Sequence, residues 1–145
     1  MAATGKLYGK VMISLWNKEI DFDTDTIKVA LTTSSYTPDQ DTHDYFNDVT
    51  NEVSGTGYTA GGATLASKTV TYTGATNTFM LDAADVTWST STITARTAVI
   101  YDASPGTAAT NPLIGYQQNA SDVSSTAGDF VIQWDAAGIV SIVIS

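Results

Sequence analysis

The sequence predicts a mainly β protein: an antiparallel β-sandwich or barrel-like domain with one N-terminal amphipathic helix. Three observations lead there. The chain holds 24 threonines, whose branched Cβ suits strands and restricts χ1 in helices. Short segments alternate apolar and polar residues between clusters of turn-forming residues. Only residues 5–18 break that rhythm, with apolar residues returning every four positions.

In that segment Leu7, Val11 and Leu15 form a stripe with Tyr8, Met12 and Trp16 one position on. Lys6, Lys10, Ser14 and Asn17 fall mostly opposite, and Thr4 is placed to cap the start. The spacing predicts a helix over 5–18 whose aromatic stripe packs into the core. Strands follow. Ile27, Val29 and Leu31 share one face of Thr26–Thr32, and Val70 and Tyr72 share one face of Lys68–Thr73. Phe130, Ile132 and Trp134 alternate with Val131 and Gln133. Ala98–Tyr101, Pro112–Tyr116 and Gly138–Ile144 are apolar on both faces and read as central or interface strands.

Turn chemistry joins these runs. Gly74–Asn77 links the Tyr72 strand to Phe79–Leu81, and Asp82–Asp85 precedes Val86–Trp88. Asp135–Gly138 is expected to close a hairpin between the last two strands. Two long connections remain, about 34–66 and 102–112. The first ends in the Gly- and Thr-rich stretch 54–66, and long loops inside a compact domain are often functional. Residues 1–145 read as a single domain.

Hydrophobic residues make up 43%, charged residues 14%, and the net charge is −9. Such a chain is not disordered. It lacks the clustered Lys and Arg that phosphate contacts need, so no nucleic acid is expected as partner. Apolar runs such as Ile139–Ile144 fall far short of the ~20 residues that span a bilayer, so no membrane is expected either. The N-terminus shows no apolar leader, which predicts synthesis in a cytoplasm. Cysteine is absent, which excludes disulfides, thiolate metal sites and a Cys nucleophile.

Candidate chemistry is sparse, and neither catalytic residues nor cofactors are expected. Asp21-Phe-Asp-Thr-Asp25 resembles the opening of a calcium loop. However, Thr26 stands where that loop needs Gly, and Thr32 where it needs Glu. An acidic turn feeding a strand is the main reading, with opportunistic Ca²⁺ binding the other. His43, the single histidine, stands among Asp39, Asp41 and Asp44. One His without Cys cannot supply a usual zinc site, and no nucleophile elbow accompanies it.

Residues 19–52 hold nine acids and one lysine, Lys28, together with Tyr36, Tyr45 and Phe46. The plain reading is a solvated acidic face. The other is a docking patch with aromatic anchors and a polar rim.

Several segments together resemble a family of small structural proteins of tailed bacteriophages. They are Ile20–Leu31, Tyr36–Phe46, Asn51–Gly62, Asp85–Trp88, Ala98–Tyr101, Gly106–Tyr116 and Gly128–Gly138. The resemblance implies a non-enzymatic viral protein of the virion, most simply a capsid decoration (cement) protein that stabilises the head. Its partners would be the major capsid protein or other virion subunits. It would act as a homo-oligomer, for example a trimer. A tail, fibre or head-fibre subunit, or a displayed glycan-binding β-sandwich, is the alternative. The expected interface residues are Tyr36, Asp39, Asp41, Asp44, Tyr45, Phe46 and Tyr58. The rival account is that these aromatics close the domain's own core.

Overall fold

Two long strands organise the molecule. The computed structural model describes residues 5–145. Within them β1 (Lys6–Leu7), α1 (Val11–Trp16), β2 (Ile27–Thr32), a 3₁₀ turn (Phe46–Asp48) and β3 (Ala63–Thr64) come first. Then follow β4 (Thr69–Thr73), β5 (Thr78–Asp82), β6 (Val86–Asp102), β7 (Leu113–Ile132) and β8 (Val140–Val143). All pairings are antiparallel, in a five-stranded sheet ordered β1-β7-β6-β2-β3 and a three-stranded sheet ordered β4-β5-β8. The larger sheet ends in open edges at β1 and β3, so it does not close into a barrel.

β6 has 17 residues and β7 has 20. Each unites two runs that look separate in the sequence, because Ser and Thr pairs carry the ladder between them. Ser91 Oγ meets Ser125 Oγ at 2.7 Å, Thr94 Oγ1 meets Ser124 Oγ at 2.7 Å, and Arg96 Nε donates to Asp122 Oδ1 at 2.8 Å. Such facing pairs stabilise a sheet without an apolar signature.

The period of two places the core. Ile27, Val29 and Leu31 face the smaller sheet with Ile100, Phe130 and Ile132, and Val70, Leu81 and Ile142 pack against them. Ala30, Val99, Tyr101 and Tyr116 point to the other face. There Tyr8 and Tyr36 cover them, with Phe46 and Val49 partly buried beside them.

The helix is much shorter than its spacing predicts. Lys6 and Leu7 pair with Tyr116 and Gly115 of β7, and the N–H groups of Tyr8 and Gly9 go to Ile114 and Gln40 carbonyls at 3.1 and 2.8 Å. With those backbone groups taken, only Val11–Trp16 coils. Glycine at 5 and 9 weakens the helical alternative further. The stripe divides accordingly. Tyr8 and Val11 are buried, while Met12, Leu15 and Trp16 are exposed. Thr4, the expected cap, lies outside the described residues.

The expected turn Gly74–Asn77 joins β4 to β5, with Thr73 opposite Thr78. Asp135–Gly138 is also a tight turn, Gly138 N–H donating to Asp135 O at 2.8 Å with a positive φ of 84°. It does not form a hairpin. β8 leaves β7 and pairs with β5 instead, Val140 opposite Leu81. The chain thereby crosses between the sheets.

Candidate functional site

Residues 33–62 form a long connection that is anchored at several points. Thr33 N–H donates to Asn51 O at 3.0 Å, Leu113 N–H to Asp44 O at 2.8 Å, and Thr92 N–H to Thr56 O at 2.9 Å. Short bridges pair Tyr45 with Pro112 and Thr32 with Glu52. The connection is therefore a fixed surface built on the larger sheet.

The expected interface residues separate into two groups there. Tyr36 is buried, its hydroxyl 2.8 Å from that of Tyr8 and 3.0 Å from His43 Nδ1. Burial, above all, raises the pKa of both tyrosines. Phe46 stacks on Tyr101 with ring centroids 3.9 Å apart. Tyr58 donates to Glu52 Oε1 at 2.7 Å, accepts from Leu31 N–H at 2.9 Å and leans on Trp88. Desolvation dominates its raised pKa as well. The same Glu52 oxygen takes the Gly61 N–H at 2.6 Å, and Gly61 O receives the Tyr101 hydroxyl at 2.8 Å. Burial pushes the Tyr101 hydroxyl up to about 12. These three aromatics hold the connection onto the sheet, which fits the account that they close the domain's own core.

Asp39, Asp41, Asp44 and Tyr45 face outward to different degrees. Asp39 and Asp41 are exposed, and Asp44 and Tyr45 half-buried. Asp39 Oδ1 accepts the N–H groups of Asp41 and Thr42, each at 3.0 Å. The Thr42 hydroxyl and these amides hold the Asp39 carboxyl below its usual range. Asp44 faces Lys10 at 3.5 Å. The Glu19 carboxylate is the main cause raising the Tyr45 hydroxyl's pKa. His43 is half-buried, and its Nδ1 also accepts from the Asp39 N–H at 3.3 Å.

The Asp21–Asp25 turn is closed by its own bonds, Asp21 N–H donating to Asp25 Oδ2 at 2.7 Å. Among the described residues no group of three or more His, Cys, Asp or Glu side chains is arranged to hold a metal ion.

A second feature escaped the sequence reading. An apolar groove of about 770 Å³ opens between α1 and the smaller sheet, walled by Val11, Leu15, Phe79, Leu81 and Ile142. Lys18 and Asp21 also line it. The signal was present in residues 5–18. Gly5 and Gly9 argue against a full-length helix, and a six-residue helix cannot bury the whole stripe.

No protein-family model, no curated protein and no solved structure matches the chain.

Proposed function

We propose that the chain is a non-enzymatic structural protein of a phage virion, a capsid decoration protein that docks on the head surface. The fold serves as an open β-sandwich carrying a preformed recognition surface. One observation carries the reading: residues 33–62 are long and irregular yet tied to the sheet by backbone bonds at Asp44, Val53 and Thr56, while Asp39 and Asp41 remain exposed. A loop ordered before binding loses little entropy on docking. The resemblance to tailed-phage structural proteins supports the choice of partner, the major capsid protein or another virion subunit. Few long charged side chains need immobilising at such an interface.

Tyr45 is the anchor in this reading, with Asp39, Asp41 and Asp44 setting orientation and salt sensitivity. Tyr36, Phe46 and Tyr58 support the surface from beneath. The test uses phage heads assembled without the protein. Tyr45→Ala should weaken head binding about 30-fold, the equivalent of ~2 kcal/mol, with little change in melting temperature. Asp39→Asn with Asp41→Asn should flatten the salt dependence of binding. Unchanged binding by Tyr45→Ala, or binding to host glycans and not to heads, would reject the proposal.

A further inference from the structure

The groove beneath α1 lies beside its own complement. Trp16, on the rim of this apolar hollow, is 82% exposed. Ile144, 54% exposed just beyond β8, extends the groove's apolar lining. Contiguous exposed apolar surface of this kind marks an interaction site.

We propose that a second copy of this chain occupies the groove, the two copies related by a two-fold axis with each Trp16 entering the other's hollow. A two-fold contact requires one patch to be complementary to itself. A protruding indole and an apolar hollow on one face meet that condition. The polar lining meets it too. Lys18 and Asp21 both line the groove with opposite charges. The ion pairs among the described residues are Lys10 with Asp44 and Arg96 with Asp122, so Lys18 and Asp21 are left for a partner. A two-fold axis brings Lys18 of each copy to Asp21 of the other, giving two reciprocal pairs.

No residue of 33–62 lines the groove, so loss of pairing and loss of head binding are read with separate variants. Sedimentation of the full chain across concentrations should give a dimer. Trp16→Ala should weaken it at least tenfold while near-ultraviolet circular dichroism and melting temperature stay close to the parent's. Lys18→Glu alone and Asp21→Lys alone should each weaken the homodimer about tenfold. Mixing these two variants should restore a heterodimer, because both ion pairs then form again, and the double variant should restore the homodimer. A monomer at every concentration would overturn the proposal, as would a groove that takes up an apolar dye or fatty acid without pairing. A dimer indifferent to Trp16→Ala overturns the contact, and failure of the charge swap to restore pairing overturns the two-fold arrangement.

Discussion

The carboxyl groups of Asp25 and Asp102 neighbour each other where the turn before β2 meets the end of β6, and Asp25 helps raise the pKa of Asp102. Asp102 is fully buried; its Oδ1 accepts the Ser104 N–H at 2.8 Å, while its Oδ2 has no hydrogen-bond partner. Thr26 N–H donates to Ser104 Oγ at 2.8 Å, and Lys68 donates to the Asp25 backbone carbonyl, not to its carboxylate. Two carboxylates this close cannot both ionise cheaply.

Stability should therefore depend on this pair. Burial first, and Asp25 after it, raise the pKa of Asp102 against the opposing Ser104 bonds. Because the folded-state value is raised, the protonated form is the one that folding favours. The stabilisation is complete below the ordinary aspartate range and is lost as pH rises through the raised value. Asp102→Asn should remove that loss, raising the melting temperature more at pH 8 than at pH 4. Thermal melts of both proteins over that range check it, and parallel curves for the two would contradict it.

The buried hydroxyl pair should respond unequally to deletion. Tyr8→Phe leaves the Tyr36 hydroxyl with His43 and should cost about 1 kcal/mol. Tyr36→Phe strands the Tyr8 hydroxyl inside the core and should cost roughly 1–3 kcal/mol. Urea denaturation of the two variants gives the comparison, and the order Tyr36→Phe above Tyr8→Phe is the expected result.

Gly62 is the tightest seam between the long connection and the sheet. It has a φ of 72°, and a Cβ there would stand 1.9 Å from Val29 O. That oxygen belongs to backbone in the β2–β3 pairing, where Val29 faces Ala63. Gly62→Ala should cost roughly 3 kcal/mol or more, combining left-handed strain with backbone overpacking. Chemical denaturation measures it. A loss under about 1 kcal/mol, the scale of a modest backbone penalty alone, would mean the seam yields.

What the sequence determined by itself was local. The alternation of Ile27, Val29 and Leu31 against Lys28 and Ala30 is written in residue order, because a strand's faces follow from its period of two. The turn at Gly74–Asn77 was legible for the same reason, since its neighbours in sequence are its neighbours in space. The first long connection, expected over about 34–66, is cut short because Ala63 and Thr64 pair with β2. The outward acids of the candidate site could be named, but not separated from the aromatics that face inward. Whether Tyr45 looks out while Tyr58 reaches Glu52 and Leu31 depends on the sheet beneath them.

Tertiary structure decided the rest through pairings between distant segments. Residues 6–9 have a helical pattern, but β7 and Gln40 take their backbone groups, and strand wins. Asp135–Gly138 has hairpin chemistry, yet β8 finds its partner in β5. The middle of β7 lacks apolar alternation, and side-chain bonds of Ser125 to Ser91 and Ser124 to Thr94 tie it to β6, where Ile93 and Ala95 still face the core. In each case a hydrogen bond or a packed face offered by another part of the chain outweighed a local preference worth less than about 1 kcal/mol per residue. The exposed stripe of α1 is the consequence. A helix limited to Val11–Trp16 leaves apolar residues that its own fold does not cover.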